Sequence, residues 1–93
     1  MKSRDVEWDQ SKNLLNQKKH RVSFEEAATV FADPLGITID DPDYSSTEHR
    51  FISIGESFRR RLLVVSYAER GTAFRIINAR RPTRRERSAY EEA

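Results

Sequence analysis

The segment from Arg61 to Arg87, RLLVVSYAERGTAFRIINARRPTRRER, constrains the fold more than any other part of the chain. Leu62 to Val65 is an unbroken apolar run, followed by Ser66 and Tyr67. Glu69-Arg70-Gly71 is a turn signal, and Phe74 to Ala79 is a second β-rich run. Two strand-like runs around a short Gly-containing loop predict a hairpin. Leu62 to Val65 is apolar at both parities, so that strand is expected to be covered on both faces and central in its sheet. The second strand runs directly into Arg80 and Arg81. A stiff hairpin with arginines at its exit is a good mount for holding phosphate.

The remaining elements are read outward from this hairpin. Asp9 is a plausible N-cap for a first helix running to about Lys19. Trp8, Lys12, Leu15 and Lys19 fall on one stripe of it. The two lysines either lay their stems along the core edge or project into a cleft beside it. Ser23-Phe24-Glu25-Glu26 reads as a capping box with Ser23 at N-cap and Glu26 at N3. It opens a second helix that buries Phe24, Ala27, Ala28 and Phe31 and stops at Asp33-Pro34. Leu35 to Ile39 alternates as a strand, and Asp40-Asp41-Pro42-Asp43 is a turn without the pattern of a Ca²⁺ loop. Tyr44 to Thr47 continues the loop, Glu48 to Glu56 is the next strand, and Ser57 to Arg60 turns into the central one. After Pro82, Thr83 and Glu86 form a second capping box, and the last helix runs to about Glu92 with a poor apolar face. Such a helix should be held weakly and offers a contact for another chain. The expected class is therefore α+β: two N-terminal helices on a four-stranded antiparallel sheet, then a short C-terminal helix.

With 93 residues, 34% of them charged, the chain suffices for one small domain, taken as residues 1–93, with an economical core. The absence of Cys excludes disulfides, thiolate metal sites and Cys nucleophiles. No apolar run approaches the roughly 20 residues that span a bilayer. The opening MKSRDVEWDQ lacks the apolar stretch of a signal peptide, so a soluble, cytoplasmic protein without membrane association is expected. The net charge of +2 hides a segregation: Ser23 to Glu48 holds seven acidic residues and no Lys or Arg, whereas His49 to Arg87 holds eleven Arg and three Glu. Either the two signs pair in the fold, or the surface is divided between an anionic ligand and a basic partner.

Nothing in the sequence marks a metal or cofactor enzyme. His20 and His49 lack ligand-spaced partners, and the glycines do not make a phosphate loop. What remains is Arg, Lys, His and Glu chemistry, carried by Lys19, His20, Glu48, Arg50, Arg75 and Arg80. RNA supplies its own nucleophile, the 2′-hydroxyl. Its cleavage requires only a base, cations for the phosphorane charge, and an acid for the leaving 5′-oxygen. Small basic domains also bind nucleic acid without cutting it.

The sequence resembles the BrnT toxins of type II BrnT/BrnA toxin–antitoxin modules, in the RelE-like group. The resemblance rests on Val6-Glu7-Trp8-Asp9, Lys12-Asn13, Asn16, Lys19-His20 and Val22 to Ala27. It continues through Val30-Phe31, Asp33-Pro34, Glu48, Arg50-Phe51, Ile54-Gly55 and Leu62 to Val65, and closes on Arg75 to Ile77, Ala79-Arg80, Thr83 to Arg87 and Tyr90-Glu91. It implies a RelE-like fold and a metal-independent endoribonuclease that inhibits translation, with no cofactor. It implies a BrnA-type antitoxin partner, messenger RNA as substrate, free or on the ribosome, and operator DNA reached only through the antitoxin.

The catalytic residues it implies are Lys19, His20, Glu48, Arg50 and Arg80, with Tyr67, Arg75, Arg81, Arg84 and Arg85 as substrate contacts. Lys19 or Glu48 would deprotonate the 2′-OH, Arg50 and Arg80 would neutralise the phosphorane, and His20 would protonate the leaving oxygen or orient the phosphate. Blander roles stand beside these. Glu48 could be a cross-strand ion pair, His20 a helix C-terminal cap, and Arg84, Arg85 and Arg87 a solvated basic face. A non-catalytic nucleic-acid- or partner-binding module, such as a decayed toxin, is the alternative. One departure bears on the site. The family usually has Gly where this chain has Arg21. Either the turn is reshaped or Arg21 accepts a left-handed conformation at a cost of roughly 1 kcal/mol.

Overall fold

The computed structural model describes residues 5–41 and 48–93. In chain order these form β1 (Asp5–Glu7), α1 (Gln10–His20), α2 (Phe24–Ala28) continued by a 3-10 turn (Thr29–Ala32), β2 (Ile37–Asp40), β3 (Arg50–Glu56), β4 (Leu62–Arg70), β5 (Ala73–Arg80) and α3 (Arg84–Glu91). The loop expected at Tyr44 to Thr47 and the Pro42-Asp43 half of the preceding turn lie outside the described residues.

The hairpin is present as β4 and β5, closed at Gly71 with φ 58°. β4 is central in the order β1-β5-β4-β3-β2, and Leu62 to Val65 are all buried. The sheet has five strands and is mixed, which corrects the expected four-stranded antiparallel arrangement. The added strand, β1, pairs parallel to β5 with Asp5 opposite Ala73 and Glu7 opposite Arg75. Its three residues, Asp-Val-Glu, alternate over one period only, with Val6 packed against the core between two exposed carboxylates, too short a pattern to read as a strand. The strand expected from Leu35 begins later, at Ile37, and leaves Leu35 exposed. Gly36 and the Asp33-Pro34 stop take up the difference.

On one face of the sheet, Leu63, Val65, Tyr67, Ile76 and Ala79 pack against Val22, Phe24, Ala27 and Val30. Phe24 and Phe31 join this core as expected, with Trp8 edge-on to Phe24. Close approach of the 3-10 turn to β3 depends on Gly55, where a Cβ would lie 2.8 Å from Val30 Cγ1.

α1 departs from the expected stripe. Its buried residues are Asn13 and Asn16, while Lys12, Leu15 and Lys19 are exposed and only Trp8, ahead of the helix, meets the core. The cause is the backbone of β5. Beyond β1 that strand has no neighbouring strand on its outer side, and Asn16 supplies one residue's worth of pairing: Ala79 N–H donates to Oδ1 (3.2 Å) and Nδ2 donates to Ala79 C=O (2.8 Å). Nδ2 also donates to Val22 C=O (2.9 Å). Asn13 accepts from Phe24 N–H (2.8 Å) and donates to Glu25 (2.9 Å). An amide satisfies buried backbone groups that a leucine would leave unpaired.

α1 ends at Arg21, which takes the left-handed conformation (φ 58°, ψ 35°) and donates its N–H to Gln17 C=O. The turn keeps the shape expected of a glycine there. Only half of the first capping box forms. Ser23 Oγ accepts from Glu26 N–H (3.0 Å), but the Glu26 side chain turns inward to Ser57 and Arg61. The second box, Thr83 with Glu86, is complete.

Candidate functional site

The second face of the sheet is built differently from the core face. Side chains directly opposite in antiparallel strands share a face. Val64 faces Arg80, Ser66 faces Asn78, and Ala68 lies between Arg50 on β3 and Arg75 on β5. Arg75 and Arg80 are five residues apart and would normally point to opposite sides. A β-bulge at Ser66/Tyr67 inserts Ile77 as an unpaired residue and brings Arg75, Asn78 and Arg80 onto one face. That face thus carries Arg50, Ser66, Arg75, Asn78 and Arg80. Arg50 and Arg80 are offset along the strand direction by four residues of β4, about 13 Å at the usual rise, and stand on strands two apart in the sheet.

Carboxylates hold these arginines. Arg50 Nε donates to Glu48 (3.0 Å), and Arg75 Nη1 donates to Glu7 (3.2 Å). Arg80 makes a two-pronged pair with Glu86, at 2.7 and 2.8 Å. The Arg80 pair pulls the Glu86 carboxyl down to about 2, against the opposing effect of partial burial, and Thr83 N–H assists. Glu86 in turn raises the Arg80 guanidinium above its usual range. Of these pairs, Glu48–Arg50 joins the acidic segment to the basic one, and it forms between residues two apart along the chain, not across strands as the bland role for Glu48 expected.

The residues expected to act together fall at two ends of the sheet. Glu48, Arg50 and Arg75 lie at the β3 entrance. Arg80 lies at the β5 exit, next to Ala79, which Asn16 grips. Lys19 and His20 occupy the last turn of α1, one helical turn beyond Asn16. Arg81, Arg84 and Arg85 are exposed around the start of α3. Tyr67 is on the opposite, core face. It is buried, bonded through its hydroxyl to Ser53 (3.1 Å), and packed among Phe31, Phe51 and Phe74. These aromatics, with Thr38 and Glu69, line a cleft of about 350 Å³.

One cluster was not anticipated from the sequence. Glu26, buried at the start of α2, accepts from Ser57 Oγ (2.6 Å) and from Arg61, with Arg59 at 3.8 Å. Burial pushes its carboxyl up, but the Arg61 and Ser57 hydrogen bonds and the two guanidinium charges outweigh this and hold it below the ordinary range. Arg61 also donates to Arg21 C=O (3.3 Å), tying the β3–β4 turn to the end of α1. The signal available in the sequence was the run Arg59-Arg60-Arg61. Among the described residues, no three His, Cys, Asp or Glu side chains converge as metal ligands. Among the described residues, no helix is long and apolar enough to cross a membrane.

Comparison with known proteins places this geometry in context. A family model described as the BrnT ribonuclease toxin of type II toxin–antitoxin systems matches residues 8–86. The 1.1 Å crystal structure of the Brucella abortus ribonuclease toxin BrnT is similar in fold, with a TM-score of 0.65 at 20% identity, covering 88% of this chain and 100% of that one. No curated protein sequence matches.

Proposed function

The chain belongs to the BrnT family of ribonuclease toxins of type II toxin–antitoxin systems, and from that premise we propose that it cleaves RNA endonucleolytically by in-line attack of the 2′-hydroxyl on the adjacent phosphate, without a metal. The observation that carries this reading is the bulge-assembled face bearing Arg50, Arg75 and Arg80 around the polar Ser66–Asn78 pair. Planar guanidiniums matched to phosphate oxygens neutralise the charge that builds on the phosphorane. Glu48, hydrogen-bonded to Arg50, is the base at one end of this face. Lys19 and His20 serve the other end, away from the phosphate on which Glu48 acts, where with Arg80 they orient the adjoining phosphate, and the leaving 5′-oxygen takes its proton from water. Arg81, Arg84 and Arg85 follow the RNA backbone.

Arg80 has a second duty, because its partner Glu86 also closes the cap of α3. An alanine there removes a phosphate ligand and unpins a helix together, so Arg50 is the cleaner probe. Membership of the family implies an antitoxin. We assign it to the BrnA type and take translation arrest, through cleavage of messenger RNA, as the outcome when it is absent.

The test is cleavage of end-labelled RNA by the purified chain in the presence of a chelator. Products with 2′,3′-cyclic phosphate ends are expected, and Glu48→Gln and Arg50→Ala should slow the reaction by about 10²- to 10⁴-fold. RNA left intact by the folded wild-type chain, or normal cleavage by folded Arg50→Ala, would sink the mechanism. Tight RNA binding without cleavage would favour a binding module.

A further inference from the structure

The β3–β4 turn, Ser57 to Arg61, takes no part in the face described above, yet it is firmly mounted on the body of the protein. Ser57 N–H donates to Arg61 C=O (2.8 Å) and Arg60 N–H to Ser57 C=O (2.9 Å), closing the turn on itself. Ser57 Oγ is anchored on buried Glu26, and Phe58 N–H donates to Thr29 Oγ1 (2.9 Å). This mount presents side chains that stand largely in solvent, although the Arg59 guanidinium also lies 3.8 Å from Glu26. Phe58 is 70% exposed, Arg59 has a side chain 60% exposed, and Arg60 is exposed.

The backbone conformation points the same way. Among the described residues, the non-glycine positions with positive φ are Arg21 (58°) and Arg60 (62°). Each left-handed arginine costs roughly 1 kcal/mol relative to a glycine. Both border this corner, joined through the Arg61 to Arg21 hydrogen bond.

The turn separates two hollows of opposite character. On one side Phe58 walls a hollow of about 290 Å³ with Thr29, Ala32 and Pro34, whose lining also includes Ser57, Glu56 and the Asp33 carboxylate, itself engaged by the Tyr90 hydroxyl and the Glu56 and Leu35 N–H groups. On the other, Arg59 and Arg21 border one of about 370 Å³ with Gln17 and Ser23. Glu26 forms part of its lining, but that carboxylate is already paired with Arg61. An exposed aromatic face, one residue from a hollow bordered by arginines, matches the alternation of base and phosphate in a single strand, and the carboxylates beside Phe58 leave the phosphates to the arginine side.

We infer that the β3–β4 turn is a single-stranded RNA subsite, in which Phe58 stacks on an unpaired base and Arg59, Arg60 and Arg21 hold the adjoining phosphates. The inference deepens the ribonuclease reading and rests on it for the identity of the ligand. It adds substrate-positioning residues outside the set that reacts.

The probe is a single-stranded 2′-O-methyl RNA, which binds but cannot be cleaved, read by fluorescence anisotropy against salt. Phe58→Ala should weaken binding roughly tenfold with an unchanged salt slope, as expected for one lost base stack. The double variant Arg59→Ala/Arg60→Gly should weaken it and also make the slope shallower by about 1.4 units, as two lost phosphate contacts to a single strand require. Both changes fall on exposed side chains, and glycine at Arg60 suits the local backbone; thermal unfolding checks that each variant is folded. Wild-type affinity in both folded variants overturns the subsite and leaves the ribonuclease reading standing. Weakened binding by the variants, in a chain that cleaves no RNA, keeps the subsite and removes that reading. Intact RNA binding with lost binding of an acidic partner protein overturns the subsite in favour of a protein contact.

Discussion

Helices α1 and α3 are both attached to the sheet without an apolar seam, and they are attached by opposite means. α1 buries two asparagines and leaves Leu14 and Leu15 57% and 66% exposed. α3 buries no residue. Its anchors are the Arg80–Glu86 pair at the start and the Tyr90 hydroxyl on Asp33 (2.7 Å) near the end. Apart from the Asn13 bond to the Glu25 carboxylate, the α1 contacts of the two asparagines described above are neutral, buried and directed at backbone groups, so the alternative to making them is an unsatisfied buried donor or acceptor. The α3 contacts are charged, titratable and partly wet, so water competes for each one. The same low apolar content gives one helix fixed as part of the core and one whose hold responds to pH and salt.

The comparison breaks most easily at Asn16. Asn16→Leu has nearly the same size but strands the Ala79 N–H and C=O and the Val22 C=O away from water. The expected loss is about 3 kcal/mol of global stability, equal across neutral pH and insensitive to salt. Denaturant unfolding measures it. A loss below about 0.5 kcal/mol would mean that α1 is held by something other than its buried amides.

Glu86 sharpens the other side. Its folded pKa of about 2 lies below the usual 4.5, so its contribution is fully present above 4.5 and is lost as pH falls toward 2. Solvent screening reduces the expected size to about 1–2 kcal/mol. Glu86→Gln should forfeit that amount at neutral pH and flatten the acid limb. Amide exchange should quicken in α3 and stay slow in α1. Equal quickening in both helices would erase the distinction between them.

What the sequence made legible follows the same divide. The hairpin, the central strand and the Thr83–Glu86 box each rest on a local pattern that no tertiary contact contradicts. β1 was illegible because a three-residue edge strand with a single inward side chain, Val6, is too short to show a period. The inner face of α1 was misread because periodicity ranks leucine above asparagine, whereas the unpaired edge of β5 ranks them the other way. The candidate residues were legible as residue types, and Arg50 and Arg80 do share a face. That Arg75 joins them depends on a bulge with no glycine to announce it. Glu26 looked like the partner of its own N-cap, and only the fold shows it buried under Ser57 and Arg61.

The smallest of these effects tests whether α3 has one anchor or two. Tyr90 has its pKa pushed up from 10 to about 12, first because its proton is shared with the Asp33 carboxylate and then through burial and the charge of Glu56. Its contribution is therefore present below pH 10 and fades as pH rises through 12. Asp33 also accepts from the N–H groups of Glu56 (2.8 Å) and Leu35 (2.9 Å), so it stays anchored when the phenol is removed. Tyr90→Phe should then cost only about 1 kcal/mol, confined to the last turns of α3 and measured as faster amide exchange there. The Thr83–Glu86 cap should keep its protection. If the whole helix loosens instead, the Glu86 end is not an independent anchor, and α3 docks as a single unit whose release at either end frees Arg80 from its carboxylate.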